Sequence, residues 1–423
     1  MCSASYRKGA SLTIVLAVVV IVANLVAGTW VIWAMNNAQA HLQQRGSEGR
    51  LGMLSATDYA TWKANDDSLP WRPVDLRHGA PEPGLEYFAR ATQTGAFGWV
   101  MLSASLRKGA IPITDSSWFR LVRDNRNWPA LTILDTSAGI SLAGNARILG
   151  NVAVHRGTCS RSTTYNMMAG ARALHDGLIL DSSSHLWDSI AFDPRPVKKW
   201  LQDVARIPET KVATLLTVDR WSAEPGQTLR HLGKVRISGT LAITKATIVA
   251  EEIEVEENVS IQNSILCARK ITLRGKGQFD GQFIALDTLE VDATESQTGA
   301  AFFWLQGREV NSVFTGLLWL KAWKGKASAV VAAEGWNQVS SEIASVIEKK
   351  VVFQGDIFSN ATMEILGQVN GHVIAHNIAT RHNGTLWIGF LRDAVITDTA
   401  QAGGMLPDLV HAGHRTLLQR EIP

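Results

Sequence analysis

From Leu229 to Leu289 the chain repeats every six residues. Leu229, Val235, Leu241, Thr247, Ile253, Val259, Ile265, Ile271, Gly277, Phe283 and Leu289 stand six apart, and nearly all are apolar. A second register runs two residues behind: Ile237, Ile243, Val249, Val255, Ile261, Cys267, Leu273, Phe279, Ala285 and Val291. Apolar residues paired at i and i+2 describe a short strand with one buried face. Three such strands make a block of eighteen residues, so Val235, Ile253, Ile271 and Leu289 form one column and Ile237, Val255, Leu273 and Val291 another. A repeat of this kind predicts a triangular coil stacked on its neighbours, a parallel β-helix. The period leaves its handedness open.

The same beat shows in Ile140, Ala146 and Val152 and in Leu142, Ile148 and Val154, with Gly144 and Gly150 at the expected corners. It is lost between Val154 and Leu229. That stretch holds a polar loop, Cys159 to Tyr165, and a helix predicted from Pro196 to Arg206 with Trp200, Leu201 and Val204 on one face. After Ala300 the pattern loosens into the clusters Phe302-Phe303-Trp304 and Leu317-Leu318-Trp319-Leu320. Alternation returns from Val351 to Ala375, with Gly355, Gly367 and Gly371 near corners.

Ahead of the coil, no Lys, Arg, Asp or Glu occurs from Gly9 to Gln44. The apolar run Ser11 to Met35 would span roughly 37 Å as a helix, enough to cross a bilayer with some tilt. Arg7 and Lys8 precede it and Trp30 and Trp33 lie near its far end, which predicts a cytoplasmic N-terminus and an exported remainder. Residues 37–60 read as a stalk helix. Pro70, Pro73, Pro81 and Pro83 then break regular structure, and Phe97 to Ser103 and Trp118 to Val122 read as antiparallel strands.

The expected fold class is therefore mainly β: a single N-terminal transmembrane helix, a small membrane-proximal α+β module, then a parallel β-helix. The domains are an anchor (1–36), a stalk and module (37–130), the coil (131–400, with an insertion at 155–228) and a C-terminal tail (401–423). This places the chain in the inner membrane as a single-pass protein, with its bulk periplasmic or extracytoplasmic. The expected partners are a lipid bilayer through residues 11–35, further copies of the chain or parts of an envelope machine, and a glycan. Over 423 residues a net charge of +3, with no basic stretch interleaved with aromatics, points to no nucleic-acid partner.

Three cysteines, Cys2, Cys159 and Cys267, exclude a disulfide scaffold and a Cys-based zinc site. Cys267 falls on an inward register and reads as a buried thiol; a bridge from Cys159 stands as the alternative. His372, His376 and His382 are the densest histidines, but no carboxylate lies at ligand spacing, so they read as strand residues. Glu251, Glu252, Glu254, Glu256 and Glu257 form an acidic band facing Arg269, Lys270 and Arg274 one coil later, which reads as cross-rung charge pairing; a cation or glycan site is the alternative. Asp280, Asp287 and Asp292 are candidate carboxylates without a clear cluster. Phosphate-loop, dinucleotide, zincin and nucleophile-elbow motifs are absent. No catalytic, cofactor-binding or metal-binding residue is assigned, and no cofactor is expected.

Two stretches carry family resemblances. Arg7-Lys8-Gly9 followed by Ala10-Ser11-Leu12-Thr13-Ile14 resembles the leader junction of type IV pilins and type II secretion pseudopilins, although Ile14 stands where major pilins carry Glu. That resemblance implies cleavage after Gly9 and packing in a filament; an uncleaved signal anchor is the other reading. The rungs Gly233-Lys-Val-Arg-Ile-Ser-Gly239 and Gly275-Lys-Gly-Gln-Phe-Asp-Gly281 resemble bactofilins, and Leu149-Gly150 is similar to the hexapeptide acyltransferase repeat. The first family implies a polymer-forming scaffold. The second implies an acyltransferase, but no residue here matches its catalytic histidine. The leading expectation is a non-enzymatic envelope scaffold, as a part of a pilus-like or secretion-like machine, with a carbohydrate-active or glycan-binding β-helix as the alternative.

Overall fold

A computed structural model describes residues 128–181 (without 136–138 and 156), 191–192, 195–209, 220–222, 228–331 (without 245 and 311–312), 343–398, 410–411 and 416–420. It also describes the backbone of four strands between 74 and 123 and a few helical residues between 16 and 37. The chain divides into two compact units: residues 1–62, 73–91 and 102–117, and residues 63–72, 92–101 and 118–423.

In the first unit, β1 (Val74–His78) runs antiparallel to β2 (Leu85–Gln93), with Val74 opposite Ala91 and His78 opposite Tyr87. Two longer strands follow, β3 (Trp99–Lys108) and β4 (Ile111–Arg123). In the second unit, the end of β4 pairs antiparallel with the last strand of the chain, Thr416–Arg420, placing Phe119 opposite Arg420. The segments leading into and out of the coil are thus tied to adjacent strands.

The second unit is mainly β, a curled sheet of parallel strands consistent with a β-helix. Lys234–Ile237 pairs with the end of Thr247–Val255, which pairs with Ser260–Gly275 and then Phe279–Leu305. The register runs Val235, Ile253, Ile271, Leu289, Leu318, and beside it Ile237, Val255, Leu273, Val291, Leu320, Ile347, Ile365. All of these side chains are buried in one core. Stacking the same column on every turn gives each aliphatic group a like neighbour above and below. Burying one such side chain stabilises by roughly 1.5–3 kcal/mol.

Wider turns follow Leu289. Leu289 lies beside Leu318 because the turn between them carries a small hairpin, Arg308–Val310 with Val313–Thr315. The strand register also shifts between Val291 and Ala300. Here the interior is filled by an aromatic run: Phe279, Phe283, Phe303 and Trp323 succeed one another with ring centroids 6.4, 5.7 and 5.1 Å apart.

The order of stacking departs from the order of the sequence. Val373–His382 pairs in parallel with Leu131–Ile133, and Val395–Thr397 pairs with Arg147–Leu149. Those early strands are followed by Val152–Val154 and Ile179–Asp181 on one face and by Leu174–Asp176 on another. One core column therefore reads Phe303, Ala329, Ile357, Val373, Leu131, Val152, Ile179, crossing from late residues to early ones without interruption. The first rungs made by the sequence are the last rungs of the stack.

The helix Arg195–Ala205 packs Trp200 and Leu201 against a second apolar cluster on the outside of the coil, comprising Ile265, Cys267, Ile284, Phe302, Trp304, Val330, Phe358 and Ile374. Its amphipathic spacing supplies that face. Cys267 and Ile265 thus point away from the main core, while Leu266 between them points into it.

The expected transmembrane helix is corrected. Among the described residues no helix is long and apolar enough to cross a membrane. Leu16, Val18, Val19, Val20, Trp33 and Met35 are helical and exposed. The expectation of a single-pass inner-membrane protein falls with the helix that carried it. Most of residues 11–35, the junction at Gly9, the stalk at 38–60 and the bulk of the tail from 401 lie outside the described residues.

Candidate functional surface

The acidic band is tied into an ion-pair ladder. On one file Lys234, Glu252 and Lys270 occupy successive rungs at the same register, with Nζ–Oε1 separations of 3.4 and 3.8 Å from Glu252 to the two lysines. Lys234 also reaches Glu254 at 2.9 Å, and Arg236 pairs with Glu256. Arg274 lies between Glu254 at 3.4 Å and Glu290 at 3.8 Å, and Glu290 takes Lys321 at 2.7 Å. A parallel file runs Glu251, Arg269, Asp287, with Arg269 at 3.0 and 2.7 Å from the two carboxylates. Hydrogen bonding to Lys234 holds the Glu254 carboxyl below its ordinary range, and bonds to Asp287 and Glu251 raise the Arg269 guanidinium. Exposed pairs of this kind are each weak, so the ladder's effect is one of register.

The signs were readable: charges at 234, 252 and 270, and at 251, 269 and 287, alternate at the spacing of one turn. Lys234, Arg236, Glu290 and Lys321 extend the ladder beyond the residues singled out from sequence. Trp319 flanks it, with the Lys321 ammonium 4.0 Å from its ring and its indole N–H donating to Glu348 at 3.2 Å.

The candidate aspartates do not converge. Asp287 is held by Arg269, and Asp280 accepts the Ala300 backbone N–H at 3.3 Å on the following turn. Asp292 pairs at backbone level with Arg274 below and Ala322 above.

The histidines separate as well. His372 is buried; its Nδ1 lies 3.3 Å from the Pro129 carbonyl, its backbone N–H donates to Asp356 at 3.0 Å, and its ring meets Trp128 edge-on at 6.1 Å. Burial pushes its pKa down to about 4. His376 is half-buried near Asp135; burial lowers its pKa and Asp135 opposes that shift. His382 ends a strand that turns into the hairpin with Thr385–Ile388. Among the described residues no group of three His, Cys, Asp or Glu side chains could hold a metal ion.

Sequence reading missed a buried polar file in which Ser328, Asp356 and His372 precede the strand residues Ala329, Ile357 and Val373, which stand in register. All three are shut away from solvent. Asp356 accepts the His372 backbone N–H, while the Ser328 hydroxyl is buried without a hydrogen-bond partner. Cys159 and Cys267 are both free, with burial raising their thiols to about 11 and about 12.

Among the described residues, an uncovered apolar surface lies at the last rung of the stack. Leu174 and Ile179 are exposed there on strands paired from one side only among the described residues, and Tyr165, Met168 and Leu178 are exposed in the turns between strands.

No protein-family model matches the chain, and no curated protein matches it. Among solved structures, the competence-associated pilin ComZ from Thermus thermophilus is similar over 83% of this chain and 86% of its own, at 10% identity and a TM-score of 0.27.

Proposed function

We propose that the chain is a non-enzymatic assembly component, a rigid scaffold working in a pilus-related machine. The observation that carries the scaffold reading is the ladder: carboxylates that a polysaccharide-cleaving groove would need free are committed to cations or backbone donors on neighbouring rungs. The uninterrupted core columns support it further, since each rung is paired with and packed on the next. The pilus-related part rests on the Arg7-Lys8-Gly9 junction in the sequence.

Deletion of the gene, followed by electron microscopy of surface filaments, tests this reading. Filaments should be lost, then restored by the wild-type chain and equally by an Asp280→Asn, Asp287→Asn double variant. Unchanged filaments would overturn the proposal. So would polysaccharide depolymerisation by the purified chain that disappears in the double variant.

A further inference from the structure

The two ends of the stack are finished differently. At the starting end the chain engages its own first rung: the Arg230 side chain donates to the Ile207 carbonyl at 2.7 Å, and Glu209 accepts the Leu232 backbone N–H at 3.3 Å. Glu209 also lies 3.3 Å from His231. At the other end, among the described residues, the core columns stop without a covering rung. The column through Val373, Leu131 and Val152 ends on Ile179, 47% exposed above a Val152 that is fully buried. The column through Val369, Ile396 and Ile148 ends on His175, whose Nε2 is buried without a hydrogen-bond partner. Stacked-repeat proteins need a polar terminal repeat to remain soluble alone, and among the described residues this rung leaves Leu174 and Ile179 exposed in its place.

Among the described residues the outer edges of these strands are unpaired too. Leu174 N–H and Asp176 C=O bond down to Ala146 and Gly150, and Leu178 C=O accepts from Val152. Alternation along a parallel strand then turns the backbone groups of His175 and Ile179 toward the open side. The charges flanking this edge are self-complementary. Arg172 and Asp176, both exposed, stand two residues before and two after Leu174. In an antiparallel pairing centred on Leu174, Arg172 of each copy meets Asp176 of the other.

We propose that this open end is where two copies of the chain join, edge to edge about a two-fold axis. The contact would cover Leu174, Leu178 and Ile179 and continue the hydrogen-bonded stack from one copy into the next. An isologous contact uses one surface twice and closes. The engagement of the opposite end by residues 207–209 disfavours head-to-tail growth. This inference deepens the scaffold reading and rests on it: the scaffold unit is two coils joined end to end.

Light scattering on the purified full chain over a wide concentration range tests it. The expected mass is twice that of the chain. Leu178→Lys with Ile179→Lys should halve it, with circular dichroism unchanged. Arg172→Asp alone, at an exposed turn that spares the fold, should shift the equilibrium toward monomer, and adding Asp176→Arg should restore the dimer. A wild-type chain that stays monomeric overturns the proposal, as does open-ended growth or a dimer indifferent to both sets of changes. A heterologous protein bound at this end in place of a second copy would likewise overturn it. A monomer that still restores filaments would sink the two-fold contact and spare the scaffold reading; a dimer from a gene whose deletion leaves filaments intact would do the reverse.

Discussion

At the residue scale, the positions that matter most are those where the stack tolerates one chemistry only. Gly355 and Gly371 sit on neighbouring turns at φ +145° and +152°, where an L side chain is strained. A Cβ on Gly371 would run into the Gly355 carbonyl oxygen. Gly371→Ala should therefore destabilise by about 1–3 kcal/mol, read as a lower denaturant midpoint at unchanged slope. His372 is the counterpart for charge. Its folded pKa lies below the ordinary value of 6.5, so the folded chain binds fewer protons than the unfolded one between about 4 and 6.5. The stability it contributes is complete above 6.5 and is lost as the pH falls toward 4, on the order of 3 kcal/mol in all. His372→Asn should flatten the dependence of the melting temperature on pH in that window; an unchanged slope would count against a buried neutral imidazole.

At the scale of elements, the rung is the unit, and its legibility depended on turn length. On the face carrying Val235–Leu289 and Ile237–Val291 each turn spans eighteen residues, so those columns could be read directly and are found in register. The charge ladder was legible for the same reason. By contrast, Leu229 pairs with Ile248 and Leu266 with Phe283, off the six-residue beat, so that Ile248 and Leu266 face the core in place of Thr247 and Ile265. Beyond Ala300 the turns widen around the hairpin at Arg308–Thr315, and no fixed period survives to mark Phe303 or Trp323 as core. Ser345 falls in a column of aliphatics and Asp356 in the interior, where apolar patterning gives no warning. Trp323 is fully buried, packs edge-on against Phe303 and donates its indole N–H to the Gly325 carbonyl at 3.1 Å. Trp323→Ala should cost about 3–5 kcal/mol, seen as a lowered thermal midpoint. Arg269→Ala, on the solvated ladder, should leave that midpoint nearly unmoved at high salt. Equal losses from the two would mean that the aromatic run is not the interior.

At the scale of the whole molecule, the feature that sequence could not disclose is the order of the stack. Spacing identifies Ile140 to Val154 as rung-forming, but a rung has the same period wherever it sits. Its neighbour is chosen by long-range fit, here Val373 to Leu131 and Val395 to Arg147. The transmembrane expectation failed differently: apolar length is a property of the segment alone, and no described helix carries it. Joining late rungs to early ones also makes the coil one cooperative object, because removal of residues 131–181 would uncover the core at Val373 and Ile396. Such a truncation should lose the single unfolding transition expected of the full coil, as followed by calorimetry.

The central claim is that continuity across the break in sequence, and an engineered disulfide tests it most directly. Arg147 and Val395 are in-register neighbours on adjacent parallel strands. Neighbouring strands lie about 4.8 Å apart, within the Cα separation of about 4.4–6.8 Å that a disulfide accepts. In a chain with Cys2, Cys159 and Cys267 replaced by Ser, Arg147→Cys with Val395→Cys should oxidise to an intramolecular bridge in nearly every molecule, identified by peptide mass spectrometry. Arg147→Cys with Lys234→Cys should not. A folded chain in which the first pair stays reduced, or the second bridges as readily, would contradict the stack described here.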